Sequence, residues 1–184
     1  MVRAVYLFVA LFVSLSSAAA QWMDNGKPVP DTASRKAWGE HGAMLFLTSK
    51  HEELFEAWEK PGARVPVVPT DVVKRGDTLV SVVFFSGCAA GKDGKCDAEA
   101  VFQAFHPDGS PYGEEQKCVL WRLEPPQKGQ LQLGEQFMGV RIEPKDPLGV
   151  YTVRAKLHDR IADTKVELTQ TFRVEADAKP DSQK

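Results

Sequence analysis

Residues 150–159 read VYTVRAKLHD, and after Arg160-Ile161-Ala162-Asp163 the chain resumes with TKVELTQTFRV at 164–174. In the first run Tyr151, Val153, Ala155 and Leu157 alternate with Thr152, Arg154, Lys156 and His158. In the second, Val166, Leu168, Phe172 and Val174 alternate with Lys165, Glu167, Thr169 and Arg173. Successive side chains leave a pleated backbone on opposite faces, so a period of two marks a half-buried strand. Two such runs joined by a short link predict an antiparallel hairpin. With the turn centred near Ile161-Ala162, Lys156 is expected opposite Glu167 and Arg154 opposite Thr169, both pairs on the solvent side. Opposite charges facing each other across strands are mildly stabilising. His158-Asp159, at the hairpin end, is expected to be solvated.

Working outward, the same reading extends over most of the chain. Thr78-Leu79-Val80-Ser81-Val82-Val83-Phe84-Phe85 is apolar on both faces, as a central strand would be. Ala100–Phe105 forms another run and stops at Pro107-Asp108-Gly109, a strong turn signal. Gln116–Leu123 is a third, Leu131–Glu143 holds one longer strand or two short ones, and a first strand lies within Val65–Lys74. About seven short strands separated by turn residues predict an all-β, antiparallel sandwich. Ahead of them, Ser49 stands three residues before Glu52 in a capping-box pattern, and Leu54, Phe55 and Trp58 follow at helical spacing. A short helix from about Lys50 to Lys60 is expected, ended by Pro61-Gly62. Ala43–Leu47 is a brief apolar run, either a strand or a docking segment. Residues 21–42 carry Gly, Pro and charge with no sustained period and read as an arm or linker. The expected division is 1–20 leader, 21–42 arm, 43–60 apolar segment and helix, 61–175 sandwich and 176–184 disordered tail.

The leader is a secretory signal in three parts. Met1-Val2-Arg3 is positive, Ala4–Leu15 is apolar apart from Ser14, and Ala18-Ala19-Ala20 satisfies the small-residue cleavage rule. The apolar run falls short of the roughly 20 residues that a spanning helix needs. A chain cleaved near Ala20 would be secreted or periplasmic, with no membrane span in its mature part. About 160 residues would remain, enough for one domain with its own core. The formal net charge is -2. Nucleic-acid binding wants a basic face, which this balance does not offer.

At Pro144-Lys145-Asp146-Pro147-Leu148-Gly149-Val150-Tyr151 the chain resembles immunoglobulin-like and macroglobulin-type bacterial extracellular domains, which carry Gly-x-Tyr at the entry to the penultimate strand. Tyr151 resembles a tyrosine corner, whose hydroxyl returns to backbone a few residues upstream. Lys74-Arg75-Gly76-Asp77-Thr78-Leu79 resembles the entry to the second strand, His106-Pro107-Asp108-Gly109 the turn between strands, and Phe172-Arg173-Val174 the closing strand. The likeness spans about residues 61–175. It implies an immunoglobulin-like sandwich of about seven strands that binds or spaces, and it implies no catalytic residues. The cysteine loop and the preceding helix depart from the pattern, and the family's thioester chemistry has no counterpart here.

The most site-like stretch is Phe84–Asp97, FFSGCAAGKDGKCD. It misses the Walker spacing by one residue and sets Asp93 where a hydroxyl would take Mg²⁺. Cys88 and Cys96 are too far apart for a zinc pair, and Asp93, Asp97 and Glu99 do not follow a calcium-loop spacing. In an oxidising compartment the remaining reading is a disulfide between Cys88 and Cys96. Cys118 is then left over, as a small buried hydrophobe or an intermolecular thiol; a Cys88–Cys118 bridge is the competing arrangement. His51-Glu52-Glu53-Leu54-Phe55 begins like a zinc-protease helix but has Phe55 where the second His belongs. Arg75-Gly76-Asp77 spells an adhesion tripeptide yet leads directly into a strand. There is no G-x-S-x-G elbow, and His41, His51, His106 and His158 lie far apart. Trp22, Trp38 and Trp58, with Phe46 and Phe55, form either a satellite core where the helix docks or an exposed patch for a partner.

These readings lead to an exported, non-enzymatic binding or accessory module for another envelope or secreted protein or for a ligand. No cofactor and no metal are implied. The competing expectations are a small secreted hydrolase whose site assembles only in three dimensions, and a structural subunit joined by strand edges or Cys118.

Overall fold

The computed structural model describes residues 22–24, 27–60, 62, 65 and 67–176. The leader and the tail from residue 177 lie outside them. In chain order the elements are β1 (Trp22–Asp24), β2 (Lys27–Val29), β3 (Arg35–Trp38), β4 (His41–Thr48), α1 (His51–Glu59), β5 (Val72–Lys74), β6 (Thr78–Phe85), β7 (Ala98–Phe105), β8 (Pro111–Trp121), β9 (Gln132–Leu133), β10 (Met138–Arg141), β11 (Gly149–Asp159) and β12 (Thr164–Glu175). The first large sheet runs β10-β6-β4-β3, with β9 also on β6, and the second runs β5-β12-β11-β7-β8. Strands β1 and β2 form a separate ladder. The fold is the expected all-β sandwich with one short helix.

The hairpin of β11 and β12 has the register its alternation dictates, with Lys156 opposite Glu167 and Arg154 opposite Thr169. Tyr151, Val153, Ala155, Leu157, Leu168, Phe172 and Val174 are buried between the sheets. Strand β6 is apolar on both faces because it has two cores to fill. Leu79, Val83 and Phe85 join the inter-sheet core, while Val80, Val82 and Phe84 meet Leu54, Phe55 and Trp58 of α1 on the outer face. Fully burying such a side chain stabilises by about 1.5–3 kcal/mol, which is why a nine-residue helix with little stability of its own holds its place.

Two details tie the fold to the immunoglobulin-like pattern. The Tyr151 hydroxyl donates to the carbonyl of Pro147 at 2.9 Å, the return to upstream backbone expected of a tyrosine corner. The order β12-β11-β7-β8 corresponds to G-F-C-C′ of a variable-type sheet.

Other expectations are corrected. The strands outnumber seven, and β5 pairs with β12 in parallel; residues 131–143 hold two short strands, one of the two arrangements expected. Residues 21–42 are not an aperiodic arm: β3 is the edge of the first sheet, so the sandwich begins well before residue 61. This segment has work that periodicity does not reveal. It covers the free edge of β12, where Thr169 N–H donates to Ala33 O at 2.7 Å, Lys36 Nζ to Glu167 O at 2.9 Å and Trp38 Nε1 to Thr164 O at 3.2 Å. The capping box does not form. Lys50 is the N-cap with no side-chain cap bond, because the Ser49 amide donates to Thr70 Oγ1 at 2.9 Å and its hydroxyl lies 3.1 Å from the same atom.

Candidate functional site

Three connections, β6–β7, β8–β9 and β11–β12, open at one end of the sandwich, beside the β3–β4 turn. Cys88 and Cys96 are bridged and almost fully buried at the base of the first. Between them Gly91 N–H donates to Lys95 O at 2.7 Å and Lys95 N–H to Asp93 Oδ1 at 3.1 Å, so the loop folds on itself rather than around a ligand. A Cβ at 87 would fall 2.3 Å from Nδ1 of His41, so a larger residue there must displace that ring.

Asp159 braces the end. It is 2% exposed, and its carboxylate accepts from Ala89 N–H at 2.7 Å through Oδ2 and from Ile161 and Ala162 N–H at 3.0 and 3.1 Å through Oδ1. The expectation that this residue is solvated is therefore corrected. It occupies the inward parity of β11, continuing Val153, Ala155 and Leu157, and that parity was the available signal. Two further bonds complete the brace: Arg160 N–H donates to Asp97 O and Cys96 N–H to Leu123 O, both at 2.9 Å.

Over this brace runs a chain of charges. Arg122 and Arg160 each stand 3.7 Å from Asp97, Arg160 reaches Glu99 at 3.5 Å, and Glu99 faces His158 Nδ1 at 3.6 Å. His158 Nε2 meets Asp163 at 2.8 Å, and Lys165 Nζ meets the same carboxylate at 3.3 Å. The His158 bond, then Lys165, holds the Asp163 carboxyl below its usual value. A depression of about 430 Å³ lies beside the chain, lined by Asp93, Lys95, Cys96, Asp97, Arg122 and Ile161.

The remaining singled-out residues do not join this end. Cys118 is a free, buried thiol, pushed above its ordinary pKa by desolvation. Trp38 lies in the inter-sheet core, whereas Trp58 is half-buried on the outer face against Phe84, at 5.5 Å between ring centroids. Trp22 is half-buried over Gly42, with Nε1 donating to Lys36 O at 3.2 Å. Phe55 contributes to the helix-docking core with Trp58 and stacks on Phe137 at 4.8 Å. Arg75-Gly76-Asp77 is built into a turn: Gly76 N–H donates to Ile142 O at 2.7 Å, and Arg75 Nε to Asp146 O at 2.9 Å.

A second polar cluster sits at the opposite end of β11. Tyr112 donates its hydroxyl toward Asp146 Oδ2 and Arg141 O, Asp146 Oδ2 also accepts from Glu143 N–H at 2.6 Å, and the His106 ring stands edge-on to Tyr112. Burial first, and then the Asp146 carboxylate, push the Tyr112 phenol well above its usual pKa. Its bonds close on backbone and on one another, as in a structural lock.

Among the described residues no group of three or more His, Cys, Asp or Glu side chains is placed to hold a metal ion, and no helix is long and apolar enough to cross a membrane.

Fold and site together define a two-sheet β-sandwich with a helix on one outer face and a disulfide-braced loop end. No protein-family model matches the chain, and no curated protein matches it. Among solved structures it is similar to a family 123 glycoside hydrolase from Clostridium perfringens, at 8% identity and a TM-score of 0.41, over 75% of this chain and 28% of that one. It is similar to a Niemann-Pick type C2 protein from the Japanese carpenter ant, at 11% identity and a TM-score of 0.38, over 71% and 89% of the two chains. A third is the CARDB domain of a Pyrococcus furiosus protein, at 12% identity and a TM-score of 0.34, over 80% and 98%. These are distant likenesses of fold, and none carries an argument about function.

Proposed function

We propose that the protein is an exported, non-enzymatic binding or accessory module that presents its braced loop end to another envelope or secreted protein. The observation that carries this reading is the brace itself: one disulfide, one buried carboxylate and two backbone bonds fasten three loops to each other. Loops ordered before contact spare a complex the cost of ordering them, about 0.5–1.5 kcal/mol per immobilised flexible side chain. Two of these connections, B–C and F–G in immunoglobulin terms, belong to the recognition end of variable domains, whereas β8–β9 leaves the C′ position and crosses to the other sheet. Alternating charge across the end favours a partner of matching pattern and discriminates against others. The disulfide fits an oxidising compartment. The non-enzymatic part rests on the sequence, in which the nucleophile-elbow, zinc-protease and redox-pair motifs are each absent or incomplete.

The test is differential capture from the native envelope fraction. Charge reversal by Lys95→Glu with Arg122→Glu is expected to lower retention of one specific exported protein at least tenfold, while Lys145→Glu at the far end leaves it unchanged. Equal retention by all three proteins would remove the loop end from the interaction.

A further inference from the structure

The outer face of the second sheet holds a groove of about 320 Å³ beside the loop end, bordered by Glu99, Val101, Lys156, His158, Lys165 and Glu167. Leu157 and Val166 also line it. Their side chains turn toward the inter-sheet core, so they offer the groove their backbone, and Val101 supplies its apolar floor.

The charges around this floor are unevenly matched. Glu167 lies opposite Lys156 in the ladder, yet it pairs diagonally with Arg154 at 3.3 Å. The Arg154 guanidinium also rests over the Phe105 ring of the other neighbouring strand, 4.8 Å from the centroid. Glu99 is shared by Arg160 and His158, and Lys165 is taken by Asp163. Both carboxylates of the groove therefore have cationic partners elsewhere. Lys156, exposed and flanked by Val101 and Glu167 in the ladder, has no ion-pair partner among the described residues.

We propose that this groove binds a small amphipathic carboxylate, its apolar body over Val101 and its carboxylate on the ammonium of Lys156. The volume lies at the lower end of the range for small-molecule sites, about 300–1,000 Å³. A single negative charge suits the site better than two, because Glu99 and Glu167 stand close by and repulsion grows with the ligand's charge. The inference does not require the loop-end interaction, although the groove shares Glu99, His158 and Lys165 with the charge chain of that end.

The probe is octanoate, below its micellar concentration, titrated into the whole protein and followed by backbone amide shifts. Saturable shifts centred on Val101, Lys156 and Glu167 are expected. Lys156→Gln should weaken binding about tenfold, whereas Lys145→Gln, a distant cation, should not. Octanol, which keeps the chain and loses the charge, should bind at least tenfold more weakly than octanoate. The proposal is overturned if those amides do not move, if Lys156→Gln binds as well as the parent, if octyl phosphate binds more tightly than octanoate, or if an acidic peptide displaces octanoate at equal concentration.

Discussion

Asp159 concentrates the constraints of the loop end in one carboxylate, and its removal should be felt there first. Asp159→Ala leaves three backbone N–H groups without their acceptor in a buried setting. Each orphaned group costs about 1–3 kcal/mol unless water reaches it, so a net loss of about 2–3 kcal/mol is expected in urea unfolding. The opposite end makes an alkaline prediction. Tyr112 and Tyr151 are both raised from 10.0, chiefly by burial, and Cys118 is raised from 9.0 by the same cause. Groups raised by folding favour the native state fully below their unfolded values, and that contribution is lost as pH climbs through the folded ones. Stability should therefore decline as pH rises beyond about 9–10, and Tyr112→Phe should flatten the decline. An unchanged slope in that variant would mean that Tyr112 does not ionise late. On the acid side, the lowered Asp163 contributes above its ordinary value of 3.8 and ceases to contribute as pH falls through its folded value.

Among the elements, the disulfide loop and α1 give the cleanest tests. Replacing both Cys88 and Cys96 by Ser opens a short loop, for which chain entropy gives about 2.5 kcal/mol. Equilibrium unfolding of the oxidised parent against that variant measures it; a difference near zero would mean that native strain in the bridge, or loosening of the native loop without it, offsets the chain entropy. Phe84→Ala removes a fully buried ring from beneath α1, with an expected cost of about 3–5 kcal/mol and fraying of the helix visible in amide exchange. The parts legible in the sequence were those fixed by local periodicity, namely the β11–β12 register, the double-faced β6 and the helix, and one implied by the family resemblance at Gly149 and Tyr151, the tyrosine corner. What stayed hidden depends on distant partners. Residues 31–38 look irregular because their bonding is spent on the edge of β12 and on Trp38, not on a repeating local pattern. Ser49 had the spacing of a cap but lost its amide and hydroxyl to Thr70, twenty-one residues away. Of the candidate end, the disulfide was readable from spacing and compartment; the charge chain was not, since its members come from three connections and the strand ends beside them, which only the sheet order brings together.

At the scale of the molecule, the sandwich separates a locked end from a presented one. The Tyr112, Asp146 and Arg75 cluster closes one end on backbone atoms, while the other carries paired charges on braced loops around a depression. The proposed recognition function would draw on the loop end alone, because the other end has its polar groups closed on one another. The most direct test sets a photo-crosslinking residue at Ile161, on the loop end, and in a second protein at Asp108, on the locked end. Both positions are exposed, so each reports the neighbours of its own end. After irradiation in the native envelope, a discrete adduct to one exported protein is expected from position 161 and none from position 108. Adducts from position 108 alone, or the same adducts from both positions, would contradict the assignment of the loop end as the binding surface.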